Sequence, residues 1–415
     1  MAAGVAAGAY TQLVSIILQL VTVPIFLWRW SLEEYGIWLV ISAAQTYFAL
    51  SEFGVISAAG SRMTVLYGRA AFTGANRVFG AAVSFVTVTF LALVVLSPIV
   101  TIAAQGLGLP LDFSLAAGLL VVSVAMAQVG GLSFVVYQAS GRNHRGVASI
   151  ANTRVAEWLG GIVGLLLTNS PIFVALGMLL GRTIATALVL RDSLKGQSVF
   201  SIRLVRWRYV RLHLTQSFAN FSITLASSLS IQGVTILVGV FYGASDVAIF
   251  NIYRTAARIV VQATAIVSHA AWPEFAALHG SGSVDRMKAF YKRIQKTSLG
   301  LSTVACVALI CGFPLLLLLW THNTVPLNWG LVLAVSSYAM LASCWHVPRV
   351  LLTAVGDNRG VSRAAVVAAL VVVASATLLG AARAEIWTQA VGMAVGEAIA
   401  AIVTIRLAGR WLARR

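Results

Sequence analysis

Twelve apolar stretches of about 20 residues or more, the length a helix needs to cross a bilayer, leave little of this chain for anything else. They run near 4–28, 36–61, 78–103, 113–138, 147–168, 171–190, 213–242, 247–275, 299–320, 328–352, 364–381 and 386–405. All but six of the 29 Lys and Arg lie in every second gap between them or at the C-terminus, in bands such as Arg62 to Arg77, Arg191 to Arg211, Arg286 to Lys296 and Arg406 to Arg415. Of the six, Arg29 and Arg383 fall in the intervening gaps, and Arg154, Arg182, Arg254 and Arg258 lie inside apolar stretches. Because Lys and Arg in short loops stay on the cytoplasmic side, the alternation predicts an all-α, multi-pass membrane protein with both termini cytoplasmic.

Composition excludes a soluble domain: 10% of the residues are charged and mean hydropathy is +0.90, against about 25% charged in globular proteins. The net charge of +17 sits on loops facing anionic headgroups, so nucleic acid is not an expected partner. Cys306, Cys311 and Cys344 lie in apolar runs without paired spacing, and the six His have no metal-ligand spacing, so neither a metal nor a cofactor is expected. No phosphate-binding glycine loop or nucleophile elbow precedes a soluble helix, which points away from an enzyme and toward secondary transport. The first apolar run is too long for the apolar region of a signal peptide and is expected to be retained.

An internal repeat divides the chain. Ala139-Ser-Gly-Arg-Asn-His-Arg-Gly-Val147 after the fourth stretch matches Ala354-Val-Gly-Asp-Asn-Arg-Gly-Val361 after the tenth, and Glu34-Tyr-Gly-Ile-Trp38 matches Asp246-Val-Ala-Ile-Phe250 at nearly the same displacement. Six helices per repeat is an even number, so the two copies enter from the same side. The expected organisation is a six-helix lobe over 1–190, a basic amphipathic cytoplasmic linker over 191–212 and a second six-helix lobe over 213–415. Two such lobes around a central cavity are a transporter architecture.

Pro24-Ile-Phe-Leu-Trp-Arg29 with Leu32, Glu34, Tyr35-Gly36 and Trp38 resembles the first-hairpin signature of polysaccharide flippases. These belong to the multidrug, oligosaccharidyl-lipid and polysaccharide exporter superfamily. Tyr47, Leu50, Glu52, Gly54 and Ala58 look like that family's second helix, and Asn251-Ile-Tyr-Arg-Thr-Ala-Ala-Arg258 with Trp272-Pro-Glu-Phe-Ala-Ala-Leu278 like its eighth. The resemblance implies a MATE-like flippase fold in the bacterial inner membrane. It also implies a Wzx-type activity, moving a polyprenyl-diphosphate-linked oligosaccharide outward for O-antigen or polysaccharide export, with polymerase or assembly proteins as partners. Glu52 departs from the Asp often found in the second helix.

Mid-membrane guanidinium groups cost at least about 2.5 kcal/mol each, so they must meet water, protein or an anionic ligand. Arg254 and Arg258, spaced i, i+4, share a helix face roughly 12 and 18 Å below the outer surface, and a planar guanidinium matches the paired oxygens of a diphosphate. The alternative is that they pair with carboxylates such as Glu157 and Glu397. Arg154 and Arg182 are further candidates for a cationic cavity, yet either also lies within reach of Glu157. Arg29 at the outer mouth either contacts lipid phosphate or substrate. Glu52, Glu157 and Glu397 are candidates for ion or proton coupling.

Two rival functions remain. A multidrug antiporter would present carboxylates and aromatics to organic cations, whereas the deep charges here favour an anion. A membrane-embedded enzyme of polysaccharide assembly would need a large loop with acidic catalytic residues, and the longest loop is basic. A lipid II flippase is a nearer relative, but that group resembles a fourteen-helix layout and this chain has room for twelve. The charge alternation carries a first prediction: single cysteines placed at 106–112 or 322–328 should react with an impermeant maleimide from outside, and those at 192–208 should not. Outside labelling of 192–208 would overturn this topology.

Overall fold

The structure, a computed structural model, describes residues 2–52, 54–195 and 218–413; most of the expected linker lies outside them. Among the described residues there are helices and turns and no strand. Eleven helical spans among the described residues are long and apolar enough to cross a membrane, and the protein is a multi-pass membrane protein. Eleven rather than twelve meet that measure because the expected eighth span, here Ala244–Ala270, carries Asp246, Arg254, Arg258 and His269.

By internal contacts the chain falls into two compact units, Met1–Leu18 with Trp28–Trp30 and Ile41–Phe221, and Gln19–Leu27 with Ser31–Val40 and Ser222–Arg415. The first hairpin thus contributes to both units, where the sequence reading placed it whole in the N-terminal lobe. Its helices are α1 (Ala2–Arg29) and α2 (Leu32–Ala49). The first unit continues with α3 (Val55–Gly68), α4 (Phe72–Gly106), α5 (Leu111–Ala139), α6 (Asn143–Thr168) and α7 (Pro171–Leu194). The second, from Ser222 on, contains most of α8 (Phe218–Ser228), then α9 (Val234–Tyr242), α10 (Ala244–Ala270), α11 (Trp272–Gly280), α12 (Val284–Thr321), α13 (Trp329–Cys344), α14 (His346–Ala354), α15 (Asn358–Ala381) and α16 (Trp387–Ala413).

Several expected straight spans are broken, each for a local reason. The second stretch passes through a 3-10 turn at Leu50–Glu52 and restarts after Gly54, whose left-handed φ of 71° an L side chain disfavours. Gln128 of α5 anchors the break: its amide donates to the Ser51 hydroxyl (2.7 Å) and its carbonyl accepts from Thr89 of α4 (2.6 Å). The short α3 then turns its apolar face onto α4 and α5, where Met63, Phe79 and Val135 are fully buried. In the second unit, α14 is separated from α13 at Trp345 and packs Leu351 against Phe275 and Met287.

Close helix approach in the first unit depends on small residues. Gly160, Gly164, Gly177 and Gly181 line the contact of α6 with α7, and a Cβ on Gly160 or Gly177 would collide with the other's carbonyl. Without a hydrophobic drive between helices in lipid, such backbone proximity is what makes dispersion contacts effective. In the second unit Gly36, within the Tyr35-Gly36 motif of α2, has Ala244's backbone where a Cβ would stand.

Gly177→Leu is therefore expected to cost on the order of 1–3 kcal/mol through overpacking and to lower the melting temperature of the detergent-solubilised protein. Gly312→Leu, at a position with open space, should leave it unchanged. Equal melting of the two variants would show that α6 and α7 do not need this contact.

Candidate functional site

The membrane-embedded charges fall into two sets, one in each unit. In the first unit the close contact of α6 and α7 sets Arg182 against Glu157, and the two form an ion pair. A second guanidinium nitrogen of Arg182 donates to Ser123 O of α5 at 3.0 Å. Sequence left open whether Glu157 would pair with Arg154 or Arg182; the geometry of the α6–α7 contact selects Arg182. Arg154 is exposed and has no ion-pair partner among the described residues.

Arg29 closes the C-terminal end of α6, donating to Leu166 O at 2.5 Å, with its guanidinium carbon 4.8 Å from the ring centre of Trp28. Trp30 makes a parallel attachment, its indole N–H donating to Asn169 O at 2.7 Å. A cation over the last carbonyls of a helix also meets the negative end of its dipole. Glu52 is half-buried in the turn that breaks the second span, one residue from the Ser51–Gln128–Thr89 chain of hydrogen bonds.

In the second unit Arg254 is only 3% exposed. It is held by an irregularity that the sequence did not reveal. Between α8 and α9 the helix widens into a π turn over Leu229–Gly233. Widening displaces carbonyls from their regular alignment, and Ile231 O accepts from Arg254 Nη1 at 2.6 Å and from the Thr235 hydroxyl at 3.1 Å. Arg254 Nη2 donates to Thr235 Oγ1 and Asn251 Oδ1, each at 2.7 Å, and the guanidinium lies 5.6 Å from the Phe250 ring centre.

Arg258, one turn along α10, is half-buried. The phenol of Tyr338 on α13 is close enough to Arg254, Arg258 and Glu397 to interact electrostatically with all three. Glu397 of α16 accepts from the Trp345 indole at 2.7 Å, and Arg349 stacks 5.5 Å from the same ring centre. The structure thus brings Arg254, Arg258 and Glu397 into one neighbourhood of the second unit, and Arg182 and Glu157 into one pair in the first. Among the described residues no group of three or more His, Cys, Asp or Glu is arranged to hold a metal ion.

Thr235, Asn251, Trp345 and Gln128 were not picked out from sequence. Asn251 stood one turn before Arg254 in the Asn251-Ile-Tyr-Arg254 motif, and a polar side chain one turn from a buried cation was the available signal. The others become partners only through tertiary contact.

Comparison with known proteins places the fold. No family model matches the chain, and no curated protein matches it. Among solved structures it is similar to an inward-facing multidrug resistance MATE family transporter of the MOP superfamily, with TM-score 0.79 and 13% identity over 96% of this chain and 95% of that one. It is also similar to the lipid II flippase MurJ in an inward closed conformation, with TM-score 0.74 and 13% identity over 97% of this chain and 86% of that one. A third similar structure is a MOP superfamily transporter from Pyrococcus furiosus, described by the reverse polarity of its binding pocket, with TM-score 0.66 and 11% identity over 98% of this chain and 96% of that one. The chain has the fold these transporters share.

The Arg182–Glu157 pair yields a double-mutant test. Removing one partner leaves the other charge buried and uncompensated, at a cost of about 3 kcal/mol or more, whereas replacing both by apolar residues is close to neutral. Arg182→Leu and Glu157→Leu should each lower the melting temperature, and the double variant should recover most of the loss. Additive losses would indicate that the two charges do not depend on each other.

Proposed function

We propose that the protein is a flippase that carries a polyprenyl-diphosphate-linked oligosaccharide from the inner to the outer leaflet of the bacterial inner membrane, for polysaccharide or O-antigen export. Support comes first from the sign of the deep charges: four Arg against Glu157 and Glu397, with one of those Arg neutralised by Glu157. In the second unit the half-buried Arg258 is the guanidinium group assigned to the diphosphate, and in the first unit the exposed Arg154 is the candidate. Arg254, enclosed by the π turn, fixes the helix that presents Arg258. Arg182 and Arg29 hold α6 in place through Glu157 and Leu166 O. Wzx-type transport of this kind would hand its cargo to polymerase or assembly proteins on the outer side.

Glu397 is assigned to proton or ion coupling, because it shares its surroundings with Tyr338, Trp345 and Arg349 and a change in its charge would be felt along α13, α14 and α16. Glu52 is the corresponding candidate in the first unit, at a break where the helix has a joint to move about.

The similar folds include both a lipid II flippase and multidrug transporters, so the fold does not choose between them. The charge does. A guanidinium group such as that of Arg258 repels an organic cation in a low-dielectric site and attracts a diphosphate. Reconstituted into liposomes, the protein should flip a fluorescent polyprenyl-diphosphate sugar, and short-chain diphosphate analogues should compete in a salt-sensitive way. Ethidium should neither compete nor be moved. Ethidium transport without lipid flipping would reject the flippase and favour the antiporter.

A further inference from the structure

The turn joining α15 to α16 departs from two expectations at one residue. Arg383 is one of two basic residues in the gaps that the charge pattern assigns to the outer side. It also adopts φ 51°. Five non-glycine residues have positive φ among those described, and three of them, Asn169, His322 and Asn323, are types that tolerate it. Arg383 is not such a type. Its N–H donates to Gly380 O (2.9 Å) and that of Ala384 to Leu379 O (3.0 Å), the closing pair for which glycine is the ordinary choice.

Arg383 lines an open cavity of ≈ 630 Å³, together with Phe241, Tyr242, Asp246, Asn328 and Glu385. The volume lies in the range of small-molecule sites, about 300–1,000 Å³. Several walls are fixed in place. Glu385 Oε2 accepts from the Trp387 indole at 2.8 Å. The Tyr242 hydroxyl accepts from Gln389 at 3.1 Å, which leaves its own O–H to donate. Asn328 Oδ1 caps α13 by accepting from Leu331 N at 3.0 Å, and its amide N–H groups have no partner among the described residues. Nor do the carboxylate of Asp246 and the guanidinium of Arg383.

Two carboxylates against one guanidinium disfavour a phosphate, and the guanidinium disfavours a metal cation. Acceptors, donors and two aromatic rings around one space suit a neutral ring bearing adjacent hydroxyls. Carboxylates accept from the hydroxyls, guanidinium and amide donate to their oxygens, and aromatic faces cover C–H groups. We infer that this cavity binds a sugar ring of the transported glycan on its release side. The inference rests on the flippase reading and adds to it a docking site for the saccharide, separate from the arginines assigned to the diphosphate.

Saturation-transfer NMR on the full-length protein in detergent, with free glucose, galactose, mannose, N-acetylglucosamine and their short oligomers, tests the site without any lipid. At least one of these sugars should bind saturably. Arg383→Gly, which relieves the backbone, should melt no lower than wild type yet bind that sugar about tenfold more weakly, the loss of one charge-assisted hydrogen bond. Asp246→Asn should weaken it as well. No binding by any sugar, or wild-type binding by Arg383→Gly, overturns the inference. Failure of the flippase reading has a separate signature: no polyprenyl-diphosphate lipid is moved in liposomes, whether or not it bears a sugar.

Discussion

The desolvation of a single guanidinium, that of Arg254, sets terms that much of the second unit satisfies. A buried cation in a membrane protein needs acceptors, and here they come from a helix that departs from regular winding to supply Ile231 O. Thr235 and Asn251 complete the shell, so α9 and α10 are joined by polar contacts within an otherwise apolar setting. An irregular turn and a charged helix, each unfavourable alone, compensate one another. Once Arg254 is fixed in this way, Arg258 is held one turn away at a defined place on α10.

The first unit meets the same demand differently. Gly160 and Gly177 bring two backbones together, and the resulting approach lets Arg182 and Glu157 neutralise each other. Arg29 uses carbonyl oxygen at the end of α6. Arg182, Arg29 and Arg254 are thus absorbed by an ion pair, a helix end and a π turn. This sorting separates the deep arginines: Arg154 is exposed, Arg182 and Arg258 are half-buried, and Arg254 is enclosed.

Helix positions and the element order of the two halves were legible in sequence because they depend on local hydropathy, and the repeat showed in the turns at 139–147 and 354–361. Long α4 and α12 stand at corresponding places, as do the breaks before α3 and α11. The breaks themselves were not foreseen. Gly54 offered a signal, whereas Trp345 did not, since aromatic residues continue helices well enough and the interruption there serves the packing of α14 on Phe275. The partner of Glu157 was undecided because i, i+3 spacing within α6 and a contact across α6 and α7 are equally plausible until the helices are placed. The different surroundings of Arg254 and Arg258 were invisible for the same reason: a shared helix face says nothing of what stands opposite each turn.

The central claim is a division of labour on α10, with Arg254 fixing the helix and Arg258 meeting the diphosphate. Measuring thermal stability and polyprenyl-diphosphate flipping on the same preparations of Arg254→Ala and Arg258→Ala tests it most directly. The account predicts that Arg254→Ala loses stability, because Ile231 O and Thr235 lose a buried partner, and that Arg258→Ala loses flipping, with Arg258→Lys only partly restored for want of the bidentate fork. Wild-type flipping by Arg258→Ala would contradict the account.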